Sequence, residues 1–241
     1  MVLQYEGTRY QGWQKQESTD NTIQGKLEAL LSKMTGNTVE VQGSGRTDAG
    51  VHAFGQVANF KINTDKTPGE LFNYINQYLP EDIAVMELTE VNERFHSRLN
   101  AKGKTYRYRV LNSSIPHVFD RRYVYQVTEK LNISAMKCAA DYLCGEHDFQ
   151  AFTSAKKGKK SSVRRINHII IETVGDEIQF TFIGNGFLYH MVRIIVGTLL
   201  CVGKGEIGAD EIIRILESKD RQQAGPLVPA KGLSLMEVFY E

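Results

Sequence analysis

Val39-Glu40-Val41-Gln42-Gly43-Ser44-Gly45-Arg46-Thr47-Asp48-Ala49-Gly50-Val51-His52-Ala53, running on to Ala58-Asn59-Phe60-Lys61-Ile62, decides how the first half of the chain folds. Val39 and Val41 mark a strand, and Ala58, Phe60 and Ile62 alternate with Asn59 and Lys61 in a second one. Between them, Gly45 and Gly50 free the backbone to turn sharply, which would hold Arg46 and Asp48 on a tight loop joining two strands.

Outward from this pair, the pattern is regular. Upstream, Val2, Leu3 and Tyr5 suggest a short strand, followed by a loop with Tyr10, Gly12 and the only tryptophan, Trp13. Asn21-Thr22-Ile23-Gln24 has capping-box spacing, Ile23, Leu27, Leu30, Leu31 and Met34 recur on one helical face, and Gly36 suits a helix stop. Downstream, Thr67-Pro68-Gly69-Glu70 starts a helix (Leu71, Phe72, Ile75, Leu79) that Pro80 ends, and Ile83 to Val91 reads as a strand. The order is β-α-β-β-α-β.

The second half repeats it without obvious sequence identity. A strand is expected from Lys104 to Leu111, a helix from Ile133 to Cys144, and strands near Ile166 to Val174 and Ile178 to Ile183. Helices near Leu188 to Val202 and Asp210 to Glu217 and a strand from Leu233 to Tyr240 complete it. The economical fold is α+β: two ferredoxin-like split βαβ halves, residues 1–100 and 101–241, whose antiparallel sheets flank a central cleft. Thr153 to Ser162 is too polar and lysine-rich for an element and reads as a mobile surface loop.

Composition narrows the function. With 41% hydrophobic and 24% charged residues over 241 positions, the chain is ordinary globular protein. The apolar run Met191 to Val202 carries Arg193 and is well short of the roughly 20 residues of a membrane span. Met1-Val2-Leu3-Gln4-Tyr5-Glu6 lacks the features of a secretory signal, so a cytoplasmic protein with no membrane partner is expected. Cys138, Cys144 and Cys201 form no Cys-x-x-Cys pair, and the first two read as core thiols.

Net charge is only +1, but the cations are clustered. Arg94, Arg98, Lys102, Lys104, Arg107 and Arg109 form one run without an acid, and Lys156, Lys157, Lys159, Lys160, Arg164 and Arg165 form another. Segregated cations of this kind suit phosphate neutralisation, and a solvated face is the plainer alternative.

An Asp between glycines, by itself, more often makes a local side-chain turn than a covalent bond. Four segments, however, resemble the TruA family of tRNA pseudouridine synthases: Gly45-Arg46-Thr47-Asp48-Ala49-Gly50-Val51-His52; Phe95-His96-Ser97-Arg98 with Lys104-Thr105-Tyr106-Arg107-Tyr108; Phe187-Leu188-Tyr189-His190-Met191-Val192-Arg193; and Gly232-Leu233-Ser234-Leu235. They fall in the family's order and span nearly the whole chain. The resemblance implies isomerisation of uridine to pseudouridine in the anticodon stem-loop of tRNA, at positions 38 to 40, by a homodimer. It also implies a start a few residues earlier, which leaves the edge of the first sheet in question.

That chemistry explains the residue types. The N1-glycosidic bond must break and a bond from C5 to the sugar must form, without cofactor or metal, while water is kept out. The resemblance assigns the nucleophile to Asp48, acting at C6 of the uracil or C1′ of the ribose. In a dry pocket a carboxyl group drifts towards its neutral form, and a guanidinium opposes this; Arg193 is the candidate.

Tyr106, Tyr108 and Val110 share one strand face, with Arg107 and Arg109 on the other. The pair of tyrosines fits half-buried core, and by resemblance Tyr106 stacks on the substrate base, with Leu233 as an apolar floor. A paired base must first be flipped out, and Arg46 resembles the residue that fills the vacated space. His190, Asn185, Lys156, Lys157, Arg164 and Arg165 complete the expected substrate-binding set, reading RNA shape rather than sequence.

His52, His96 and His190 have no ligand-like spacing, so no metal site is expected. Two alternatives remain. A non-catalytic RNA-binding protein of two split βαβ modules would carry an aromatic RNP1 octamer, and the nearest fragment is Gly184-Asn185-Gly186-Phe187. A carboxylate phosphotransferase would need acidic Mg²⁺ ligands near Asp48.

Overall fold

The computed structural model describes residues 1–156 and 161–241. These form two compact units, Met1–Lys102 with Ser234–Glu241, and Gly103–Leu233.

The first unit runs β1 (Val2–Tyr5), α1 (Ile23–Thr35), β2 (Val41–Gly43), β3 (His52–Phe60), α2 (Pro68–Tyr78) and β4 (Ile83–Glu87), the order read from the sequence. β1 lies between β3 and β4, antiparallel to both. It is therefore an interior strand. Met1 extends the ladder, its N–H group donating to Ala58 O at 2.9 Å and its carbonyl accepting from Ala58 N at 3.0 Å.

The other edge of β3 is shared. Its C-terminal part pairs antiparallel with β2, Val41 opposite Phe60, while its first residues pair in parallel with β10 (Leu233–Phe239), Ser234 opposite His52 and Leu235 opposite Ala53. This pairing draws Ser234–Glu241 into the first unit, whereas the sequence division at residue 100 put those residues in the second. The cause is a parallel ladder between strands some 180 positions apart, which no local pattern reveals.

Helix ends follow local chemistry. Thr67 and Glu70 form the capping box of α2, with Pro68 in the first turn. α1 departs from expectation: its N-cap is Thr22, whose Oγ1 accepts from Gly25 N, and not Asn21. Gln24, the expected box partner, instead donates to Glu28 and to the carbonyl of Val41. Ile23, Leu27 and Leu31 bury the inner face of α1.

The second unit holds β5 (Gly103–Leu111), β6 (Tyr125–Gln126), α3 (Ile133–Asp141), β7 (Gly145–Asp148), β8 (Val163–Val174), β9 (Glu177–Gly184), α4 (Met191–Lys204) and α5 (Glu211–Ser218). Its antiparallel ladder runs β5-β9-β8-β7, and β6 pairs in parallel with β5. β6, β7 and the 3₁₀ turn Phe149–Phe152 were not anticipated. The core contains Tyr108, Phe149, Phe152, Phe180 and Phe182, with α4 buried on nearly every side. Cys138 is exposed and Cys144 half-buried, because α3 turns Met136, Ala139 and Ala140 inward instead. Among the described residues, no helix is long and apolar enough to cross a membrane.

Candidate active site

Asp48 stands on a turn closed by its own carbonyl, which accepts from Val51 N at 3.1 Å. Gly50, third residue of that turn, has φ 78°, the left-handed value such a turn demands and a glycine supplies without strain. Of the two flanking glycines, only Gly50 has a positive φ; Gly45 does not need one.

The turn is clamped by the segment that follows β1. Trp13 N donates to Thr47 O at 3.0 Å and Gly50 N donates to Tyr10 O at 3.2 Å, so both sides of Asp48 are tied to one loop. Gly12 makes this approach possible: its φ is 90°, and a Cβ there would lie 2.7 Å from the Thr47 carbonyl oxygen.

Beneath the turn is a buried polar network. Tyr5 Oη and Thr47 Oγ1 share a hydrogen bond of 2.8 Å. The Gln56 amide donates to Gly45 O at 3.0 Å, lies 3.4 Å from Tyr5 Oη, and accepts from Ser44 Oγ at 2.7 Å. Tyr5, Ser44, Thr47 and Gln56 are all buried, and no described buried side-chain polar atom lacks a partner. Such a network is rigid because any displacement strands a group without water to replace its bond. Burial also pushes the Tyr5 phenol up to about 12, so it stays protonated.

His52, at the end of the loop, accepts from Gly7 N through Nδ1 at 3.0 Å. Its approach to Glu6 at 3.6 Å is therefore not an ion pair, since the lone pair of Nδ1 already serves the Gly7 amide. Arg46, two residues before Asp48, is exposed.

The second unit carries the other candidates on regular elements. Tyr106 and Tyr108 are buried on one face of β5, as the alternation predicted. The Tyr106 ring meets Phe187 edge-on at 5.2 Å, and Tyr108 Oη donates to Pro229 O at 2.7 Å. Burial lifts the Tyr108 phenol far above its ordinary value, which the Arg193 guanidinium only partly offsets.

Arg193 is on the first turn of α4, half-exposed, with Nε donating to Val228 O at 2.8 Å. α4 begins at Met191 rather than near Leu188 because His190 has φ 64°, a left-handed residue at the N-cap. That residue is pinned: its Nδ1 lies 2.9 Å from Ser154 Oγ, its ring stacks on Tyr189 at 3.7 Å, and Thr153 Oγ1 donates to Tyr189 O at 2.9 Å. Thr153 is consequently buried, contrary to its assignment to a surface loop. Leu233 is buried at the start of β10.

Asn185 joins β8 through its side chain, which accepts from Arg165 N at 3.0 Å. Arg164 donates to the carbonyls of Ser161 and Val163, while Arg165 and Lys156 are exposed. Lys157, Lys159 and Lys160 lie outside the described residues.

The first basic run is less uniform than its sequence implies. Arg109 is held by Glu177 at 2.6 Å and approaches Asp120 at 3.6 Å. Arg109 in turn holds the Glu177 carboxyl below the usual carboxylate range. His117, Asp120 and Glu177 cluster closely enough to suggest a cation site, but the guanidinium of Arg109 already supplies the countercharge.

A carboxylate on a braced turn, with Arg46, Lys156 and Arg165 exposed, suits an enzyme that acts on a polyanion. Comparisons with known proteins take this further. The family model for tRNA pseudouridine synthases matches residues 1–100 and 139–241, which include Asp48 and Arg193 but not Tyr106. Similar over the full chain, and over 98% of each relative, are tRNA pseudouridine synthase A of Bacillus sp. (strain KSM-64) at 50% identity and of Acetivibrio thermocellus at 47%. tRNA pseudouridine synthase A 1 of Clostridium tetani is 50% identical over the same span. The chain belongs to the tRNA pseudouridine synthase family, as its four motifs suggested, and is an isomerase that converts uridine to pseudouridine in tRNA.

Proposed function

We propose that Asp48 is the nucleophile and that the target is a uridine of the anticodon stem-loop, at positions 38 to 40. The observation carrying the first part is the bracing of the Asp48 turn: a covalent catalyst must meet its carbon within a few tenths of an ångström, and the clamp from Tyr10 to Trp13 supplies that rigidity. The reaction is an isomerisation. The N1–C1′ bond breaks, a C5–C1′ bond forms, C5 loses a proton and N1 ends with one, so atoms balance without a cofactor. Either site of attack, C6 or C1′, needs the carboxylate ionised.

By the family resemblance, Arg193 is the guanidinium partner assigned to Asp48. Tyr106 stacks on the flipped base, Leu233 gives the opposing apolar surface, and Arg46 fills the space the base leaves. His190, Asn185, Lys156, Lys157, Arg164 and Arg165 contact the RNA backbone, and two copies of the chain grip one tRNA in the cytoplasm.

The test maps pseudouridine in a panel of unmodified tRNA transcripts incubated with the protein and with Asp48→Ala. The variant should form no product yet bind tRNA almost as tightly. Product from Asp48→Ala removes the nucleophile assignment, and wild-type product confined to positions other than 38 to 40 removes the target.

A further inference from the structure

Beside the Asp48 loop, between α1 and β2, the first unit carries a groove of about 590 Å³, within the roughly 300–1,000 Å³ range of ligand sites. Its deepest residues are Trp13, only 2% exposed, and Val41; Gln42, Arg46 and Arg98 line it from exposed positions. Gly45 and Arg46 belong both to this groove and to the loop that bears Asp48.

The charges around the groove are unevenly committed. Lys15 is paired with Glu28 at 3.2 Å, and Glu28 also accepts from Val41 N and the Gln24 amide, so that carboxylate is spent inside the protein. Arg46 and Arg98, by contrast, pair with no carboxylate among the described residues. Arg98 is placed beside β2 because Ser97 Oγ donates to Gln42 O at 2.6 Å and Ser97 N donates to Asn59 Oδ1 at 2.8 Å. Glu40 and Glu17 line the groove too, both exposed.

A guanidinium that meets no carboxylate among the described residues, with carboxylate and amide acceptors nearby, suits an occupant that is anionic at one end and rich in N–H donors at the other. A nucleotide has that polarity: phosphate for Arg98, and an exocyclic amino group of adenine, cytosine or guanine for Glu40 and Gln42. We propose that this groove seats a nucleotide of the substrate RNA adjoining the modified uridine, with its phosphate at Arg98 and its base edge at Glu40 and Gln42. This inference rests on the tRNA-modifying reading above and assigns part of its RNA recognition to the face between α1 and β2.

Two substitutions at exposed positions and one cross-link test it. Gln42→Ala removes the acceptor proposed for the base edge and should raise KM for tRNA about fivefold with kcat unchanged. Arg98→Gln should reduce the slope of log affinity against log salt by about one. A photoreactive phenylalanine derivative placed at Gln16, another groove residue, should cross-link within two nucleotides of the modified uridine. An unchanged KM with an unchanged salt slope, or a cross-link confined to a distant arm of the tRNA, overturns the groove while leaving pseudouridine formation by the wild type intact. Absence of pseudouridine from the wild-type reaction instead strikes the proposed target.

Discussion

Asp48 and Tyr106 are presented by opposite means. Asp48 sits on a loop with no periodic structure of its own, and its position depends on backbone clamps from Tyr10 to Trp13 and on the buried Tyr5–Thr47–Gln56–Ser44 network. Tyr106 is one residue of a nine-residue strand paired along its length with β9, opposite Phe182, and its ring is set by packing against Phe187. The loop exchanges local regularity for freedom to aim a side chain, and that freedom must be removed again by polar groups that water cannot replace. The two regions should therefore fail differently when a polar atom is lost.

The largest effect is expected at Gln56. Gln56→Leu strips the donor from Gly45 O and the acceptor from Ser44 Oγ, leaving buried groups short of a partner at roughly 3 kcal/mol in all. Because the loop shifts with them, kcat should fall on the order of 10²-fold while tRNA affinity changes little. The matched change in the second unit, Tyr108→Phe, removes one bond to Pro229 O and should cost about 1 kcal/mol, with turnover hardly altered. Single-turnover rates and thermal melting of the two variants side by side check this. Equal losses of turnover would abolish the contrast between loop and strand.

The same contrast explains what the sequence made legible. Elements with a period announced themselves: the inner face of α1, the Thr67–Glu70 box of α2 and the alternation of β5 all match their expected places. β7 reads Gly-Glu-His-Asp, with no alternation to betray it, and exists because β8 offers an edge. Asp48 and Arg46 were conspicuous in the sequence, but their support was not. Tyr5 and Thr47 are 42 positions apart, and nothing local in either announces the bond. Charge runs misled in the same way, since Arg109 looks unopposed until Glu177, 68 positions on, is folded against it. Pairings across long separations are what a linear pattern cannot carry.

A smaller effect, with a distinctive pH dependence, belongs to Tyr5. At neutral pH, Tyr5→Phe loses the bond to Thr47 and should cost about 1 kcal/mol. Burial, outweighing the hydrogen bonds from Thr47 and Gln56, raises the folded-state value from 10.0 to about 12. The native state thus prefers the neutral phenol more than the unfolded chain does. Its contribution is fully present below pH 10 and is lost as pH rises from 10 through 12. Urea melts across that interval should show the wild type losing stability more steeply than Tyr5→Phe. Other tyrosines titrate in both proteins, so the difference between the two curves isolates Tyr5, and parallel curves would show that its phenol is not held neutral by burial.

Among the candidate site residues, a small effect is expected of Tyr106→Phe, where the outcome separates two chemical roles. Tyr106→Phe keeps the ring, its edge-on contact with Phe187 and its register opposite Phe182. If the residue serves as a surface on which uracil stacks, the phenyl ring still serves, and single-turnover rates should fall less than about tenfold, since general acid–base groups contribute roughly 10²–10⁴-fold and stacking does not depend on them. A loss within that larger range would assign the phenol to the proton at C5. Tyr106→Leu supplies the complementary arm: it should lower turnover further than Tyr106→Phe, because an aliphatic side chain leaves the base without an aromatic face. A strand position that tolerates loss of its hydroxyl but not of its ring, set against a loop that fails when one amide is removed, would confirm that the first unit aims by hydrogen bonds and the second by packing.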